Sequence, residues 1–87
     1  MKILFENYSF NAASNQITFN TTNTVGLEDI LVITNVTDNV IIYNFADPAK
    51  GGTISNNILT LTYNTVGMSN TDSIQIFLDN TLTPASE

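Results

Sequence analysis

An 87-residue chain has room for one domain, and the absence of Cys and His excludes disulfides and leaves no ligands for a structural zinc site. Lys2 and Lys50 are the only basic residues against eight acids, so the net charge is −6. That charge disfavours nucleic acid and anionic membrane surfaces as partners. No apolar run approaches the ~20 residues that span a bilayer, and Glu6 interrupts the N-terminus too early for a signal-peptide core. The sequence predicts synthesis in a cytoplasm.

Short apolar or alternating segments, separated by Asn, Asp, Gly and Ser clusters, predict β-strands along the whole chain. Seven strands are expected, over residues 2–10, 16–21, 30–35, 40–45, 53–55, 58–64 and 73–79. In the first of them, alternation places Ile3 and Phe5 on one face and Leu4 on the other. The uninterrupted apolar run 30–33 predicts a strand that is covered on both faces. Asn56-Asn57 is a pair that tolerates the positive φ angles of a tight hairpin.

Seven short strands at about ten-residue spacing predict an all-β fold, a small β-sandwich of antiparallel strands. Immunoglobulin-like Greek-key wiring is one way to connect them. One domain is expected over residues 1–79, with residues 80–87 as a C-terminal tail. The alternation of apolar residues predicts which side chains fill the core: Ile33, Ile42, Leu59, Leu61 and Ile76.

The side chains needed for most kinds of catalysis are missing. Without His or Cys there is no Ser-His-acid triad and no thiol nucleophile, and Gly51-Gly52 is too short to cradle phosphates. Asp38-Asn39 and Asp72-Ser73 supply oxygens that could bind calcium, but hydrogen bonding within their own turns is the interpretation we favour. The sequence therefore predicts a protein that is not an enzyme and has no metal or other cofactor.

A small domain without disulfides or metal often gains stability by oligomerising or docking. A sandwich of short strands also has edges that must be blunted or paired. Phe77 lies opposite the apolar side chains of its strand, as either a contact to a second sheet or an anchor at an interface. The first and last strands supply the candidate interface residues: Ile3, Phe5, Gln75, Phe77 and Asp79.

Four segments carry a pattern of strands and turns: Gly-Gly-Thr-Ile-Ser-Asn-Asn-Ile-Leu-Thr-Leu-Thr-Tyr-Asn-Thr at 51–65, Met-Ser-Asn-Thr-Asp-Ser-Ile-Gln-Ile-Phe at 68–77, Ile-Thr-Asn-Val-Thr at 33–37, and Ile-Ile-Tyr-Asn at 41–44. Together these segments resemble a small β domain of tailed-bacteriophage virion structural proteins. The resemblance is a pattern of strands and turns that covers most of the chain up to Asp79, and it contains no catalytic signature.

This resemblance implies a structural protein of a tailed-phage virion, made in the host cytoplasm. The favoured role is a capsid decoration or cement protein that binds the major capsid protein, in multiple copies or as a homo-oligomer. A tail, neck or fibre-adaptor component is the alternative within the virion. A carbohydrate-binding or adhesion module is an alternative of another class, because the eight aromatic residues could form a platform for sugars.

Overall fold

A computed structural model describes residues 2–79, with Lys2 described by its backbone alone. The strands in this range are β1 (Lys2–Phe5), β2 (Tyr8–Asn11), β3 (Gln16–Phe19), β4 (Ile30–Asn35), β5 (Val40–Asn44), β6 (Gly52–Ser55), β7 (Ile58–Leu61) and β8 (Ile74–Asp79). Single 3₁₀ turns lie at Ala12–Ser14, Leu27–Asp29 and Pro48–Lys50. Within these residues no helix is long and apolar enough to cross a membrane.

The strands form two antiparallel sheets of four. Sheet I has the order β1-β8-β4-β5, and sheet II has the order β2-β3-β7-β6. The predicted all-β architecture, compatible with a small β-sandwich, is confirmed. The predicted tail, 80–87, lies outside the described residues.

The single strand predicted over 2–10 is two strands in different sheets, so the described chain has eight strands and not seven. The chain leaves sheet I after Phe5 and enters sheet II at Tyr8. The carbonyl of Asn7 accepts a hydrogen bond from the Asn20 amide at 2.8 Å, which holds the crossing against the end of β3. The physical reason is that a strand at the edge of one sheet can reach the other sheet through a connection of two residues, Glu6 and Asn7.

The core lies between the two sheets and takes side chains from both. Sheet II contributes Ile17, Phe19, Leu59 and Leu61, and sheet I contributes Ile30, Ile33, Ile42 and Ile76. All five predicted core residues are buried, which confirms that part of the prediction. The rings of Phe5 and Phe19 meet edge to face across the sheets, with centroids 5.4 Å apart. Such aromatic pairs contribute about 0.5–1.5 kcal/mol beyond the area that they bury.

Coverage of β4 on both faces was also predicted, and this is wrong. Ile30 and Ile33 are fully buried, whereas Leu31 and Val32 are only half-buried. The register of β4 against β8 shifts between Ile30 and Val32. An irregularity of this kind adds a residue to one strand and changes which side chains face the core. The apolar run 30–33 therefore places some of its side chains in the core and others on the outside of sheet I.

The predicted tight turn between β6 and β7 is present, because Asn56 and Asn57 have φ angles of 53° and 62°. The Asn57 side chain also fixes the connection between β3 and β4. Its Oδ1 accepts a hydrogen bond from the Val25 amide at 2.8 Å, and its Nδ2 donates to the carbonyls of Asn23 at 2.7 Å and Thr21 at 3.3 Å. One residue thus shapes a turn and holds a second segment in place.

Candidate functional site

The side of sheet I that faces away from the core carries a group of side chains from all four strands. Leu4 pairs with Phe77 and Phe77 pairs with Val32, so these three form a row across β1, β8 and β4. A second row runs across β8, β4 and β5. The two rows define the outer face of sheet I as Leu4, Phe77, Val32, Gln75, Thr34 and Ile41.

The outer face follows from the alternation of side chains along each strand. In β8 the residues Ile74, Ile76 and Leu78 point into the core, which leaves Gln75 and Phe77 outside. Leu4 is 47 % exposed and Ile41 is 39 % exposed. None of the six side chains ionises. An uncharged surface with four apolar side chains on one sheet is the kind that protein interfaces use at their centre.

Carboxylates lie at both ends of this face. Glu6 and Asp38 follow β1 and β4, and they mark one end of the strands. Glu28 and Asp79 mark the other end, where they line a shallow groove together with the ring of Phe45. Phe45 is 68 % exposed. The outer face is therefore an uncharged band with carboxylates beyond both ends, and at one end the strand register places Lys2 opposite Asp79.

The structure divides the five candidate interface residues between the two sides of sheet I. Gln75 and Phe77 belong to the outer face. Asp79 is the next position along β8 with the same alternation. Ile3 and Phe5 point the other way, where they are half-buried and pack against the core. The candidate residues therefore do not form one surface.

Sequence reasoning did not select Leu4, Val32 and Ile41 as interface residues. These side chains come from three strands whose order in the sheet the sequence does not reveal. The signal that was available is the position of Leu4, which falls between the two inward residues Ile3 and Phe5. A large apolar side chain on the outward side of a strand is a reason to look for a surface there.

The outward side of sheet II is different in composition. Its paired residues are mostly hydroxyl-bearing or amide side chains: Ser9, Gln16, Thr18, Thr53, Ser55 and Thr60. Ile58 is the exception, and at 37 % its exposed fraction is nearly that of Ile41. The two outward sides of the sandwich thus offer one apolar and one polar surface.

The two turns considered for calcium are organised by hydrogen bonds of their own. Asp72 Oδ2 accepts from Asn35 Nδ2 at 2.9 Å and from the Ser69 amide at 3.2 Å. Oδ1 of the fully buried Asn35 accepts from the Asp38 amide at 3.0 Å. Among residues 2–79 no three His, Cys, Asp or Glu side chains lie close enough together to hold a metal ion. The absence of a cofactor remains a prediction.

A cavity of about 140 Å³ lies between the edge strand β1 and the connection that precedes β4. It is lined in part by Ile3, Phe5, Val25 and Asp29. Asp29 Oδ2 accepts from the Gly26 amide at 3.0 Å, and Oδ1 is buried without a hydrogen-bond partner. Sites for organic ligands usually measure about 300–1,000 Å³. This cavity is smaller than that range and has room for a few water molecules.

Most of the aromatic rings contribute to the core or to its margin. Phe10, Phe19 and Tyr43 are buried, and burial raises the pKa of the Tyr43 hydroxyl above its ordinary value. The Tyr63 ring lies 5.5 Å from the ammonium of Lys50. Phe45 is the one ring in residues 2–79 that is exposed rather than buried or half-buried. The described residues therefore contain no pair of adjacent exposed rings.

The sequence matches no protein-family model and no curated protein, and the fold matches no solved structure.

Proposed function

We propose that the protein is a structural component of a tailed-phage virion, a capsid decoration or cement protein that docks on the shell in many copies. The observation that carries this proposal is the outer face of sheet I. It is uncharged, partly exposed and rich in apolar side chains, whereas the outward side of sheet II is polar. A surface of this kind is suited to binding a protein.

The size of the domain supports the same proposal. A chain of 87 residues without disulfides buries a smaller share of its surface than a larger domain does, so its stability margin is small. Contact with a partner adds stability by mass action, since the partner binds the folded form alone. Decoration of a shell provides that contact at a high local concentration of binding sites.

The strand-and-turn pattern that resembles phage virion proteins supports the virion as the location. The segments that carry the resemblance include parts of β4, β5 and β8 in sheet I and all of β6 and β7 in sheet II. The resemblance therefore overlaps the proposed docking surface at four residues, which are Thr34, Ile41, Gln75 and Phe77.

The test begins with particles assembled without the protein. Purified wild-type protein is added at about micromolar concentration, an affinity within reach of a standard-size interface. Bound protein is counted per particle, and a label shows its position by electron microscopy. We expect saturable binding over the shell.

If the label is found only on the tail or neck, the protein is a tail, neck or fibre-adaptor component and not a decoration protein. Absence of binding to both parts, together with recognition of a sugar on a glycan array, would refute the proposal in favour of an adhesion module.

A further inference from the structure

The strand β6 forms one edge of sheet II and lies beside a groove. We propose that this edge binds an extended peptide segment of a partner protein, which pairs with β6 as an added strand and places apolar side chains in the groove. The inference goes beyond the proposed function, because it concerns the other sheet and does not depend on which partner the outer face contacts.

The first step is the direction of the backbone groups of β6. The Thr62 N–H donates to the carbonyl of Gly51 at 2.9 Å, and the register of β6 against β7 places these two residues opposite each other. Bonded and non-bonded pairs alternate along an antiparallel ladder. The N–H and C=O groups of Gly52 and Ile54 therefore point away from β7. Among residues 2–79 these groups form no hydrogen bond with another segment.

The second step is the groove beside this edge. It measures about 480 Å³, and its described lining residues come from 24–28 and 53–57 and not from β7, so it lies on the free side of β6. Val25, Leu27 and Ile54 give it apolar walls. When a peptide adds to a sheet edge, the main-chain bonds supply affinity and pockets for alternate side chains supply specificity. β6 offers both elements.

The third step is the kind of partner that fits. The turn Leu27–Asp29 lies beside β6, where it obstructs the approach of a second sandwich along the whole edge. A single extended segment is narrow enough to enter the groove. Glu28 is the one charged side chain among the described lining residues, so it disfavours an acidic segment. The structure thus favours an uncharged or basic segment with apolar residues at alternate positions.

The edge strand β2 provides an internal comparison in the same sheet. The Asn20 N–H donates to the Asn7 carbonyl at 2.8 Å, so by the same alternation the backbone groups of Tyr8 and Phe10 point away from β3. Binding that depended on backbone groups alone would occur at both edges. Binding that uses the groove favours β6.

The experiment is an NMR titration of the full-length protein with the synthetic peptide Lys-Thr-Val-Thr-Val-Thr-Lys, blocked at both ends. We expect saturable shifts of the Gly52 and Ile54 amides with a Kd of about 1 mM or below, and shifts at least about threefold smaller for the Tyr8 and Phe10 amides. The same peptide with both valines replaced by proline lacks those N–H donors and should give no saturable shift. Equal shifts at the two edges, or none at β6 up to about 10 mM peptide, would overturn the inference.

A matched pair of variants tests the groove. Leu27→Ala shortens one of its walls, and Leu4→Ala makes the same change on the outer face of sheet I. We expect peptide binding to weaken by about fivefold in Leu27→Ala and by less than about twofold in Leu4→Ala, and equal effects would contradict a role for the groove. Leu27 is half-buried, so thermal denaturation checks that its variant folds. The wild-type titrations decide the inference if it does not.

The charge preference has a test of its own. The peptide Glu-Thr-Val-Thr-Val-Thr-Glu should bind the wild-type protein at least about threefold more weakly than the basic peptide. Glu28→Gln should reduce this difference, because it removes the carboxylate that lines the groove. A difference that Glu28→Gln left unchanged would assign the preference to the net charge of the protein and contradict the role given to Glu28.

Hydrogen exchange of the protein without peptide distinguishes other occupants of this edge. Protection of the Gly52 and Ile54 amides that disappears when residues 80–87 are removed would overturn the inference in favour of the protein's own C-terminal segment. Protection that appears only as protein concentration rises would overturn it in favour of a second copy. Peptide binding by a protein that does not bind particles would leave the inference standing and overturn the proposed function alone.

Discussion

The neighbouring residues Asn56 and Asn57 allow the contribution of one side chain to be isolated. Both have a left-handed backbone, with φ angles of 53° and 62°. Only Asn57 uses its side chain, through three hydrogen bonds to the connection between β3 and β4. Replacing each by Gly preserves the backbone conformation, since Gly adopts positive φ without strain. The entropy cost of the added Gly is common to both variants and cancels in their difference.

The expected difference follows from the three bonds. A hydrogen bond contributes about 0.5–1.5 kcal/mol net, and less where water can replace it. The bond to Thr21 is long at 3.3 Å and the bond to Asn23 is exposed, so the bond to the Val25 amide is the strongest. We expect Asn57→Gly to lower the free energy of unfolding by about 2 kcal/mol more than Asn56→Gly does. For a domain of this size, this difference places the Tm of Asn57→Gly about 8–16 °C below that of Asn56→Gly.

Thermal and urea denaturation of the two variants measure this difference, and hydrogen exchange at the Val25 amide shows its origin. That amide donates to Asn57 Oδ1 and should lose protection in Asn57→Gly alone. If the two variants melted within about 2 °C of each other, a shift that corresponds to less than 0.5 kcal/mol, the side-chain bonds would not hold the connection and the reasoning would be refuted.

Four other substitutions have definite expected outcomes in equilibrium unfolding. Leu61→Ala should lower the free energy of unfolding by about 2–5 kcal/mol because it opens a cavity in the core. A loss below about 1 kcal/mol would show that Leu61 does not belong to the core. Gly52→Ala should lower the free energy of unfolding by about 1–3 kcal/mol, since the new Cβ would lie 2.5 Å from the Thr60 carbonyl oxygen. Gly67→Ala is the control, because its Cβ would meet nothing within 4 Å, and its stability should be nearly that of the wild type. Because burial raises the pKa of Tyr43 above 10.0, the unfolded chain ionises first and stability falls as pH rises past that value. Tyr43→Phe should therefore lose less stability than wild type between about pH 9 and pH 11, and equal losses in the two proteins would contradict the assignment.

The sequence was sufficient for the fold class because alternation is a local signal. Leu59 and Leu61 are both buried, as a period of two requires, and a pair of Asn residues marks the hairpin before them. The break in the first predicted strand was also encoded. Inward residues change from odd positions, Ile3 and Phe5, to an even one, Phe10, and a regular strand without a bulge does not change phase in that way.

The outer face could not be derived in the same way. Val32 lies within an apolar run, and only the shifted register of β4 against β8 shows that it points outward. Leu4 and Phe77 are 73 positions apart in the chain and become neighbours because β1 pairs with β8. Surfaces built from strands that are distant in sequence depend on strand order, which no local pattern contains.

The position of β8 in the middle of sheet I has a consequence for the order in which the molecule forms during synthesis. All four strands of sheet II lie within residues 8–61, so that sheet can assemble without β8. In sheet I, β1 is made first but pairs with β8 alone among the described strands. Until β8 is translated, β1 and β4 have open edges, and open edges invite pairing with other chains. We expect ribosomes that stall before Ser73 to release a chain that aggregates.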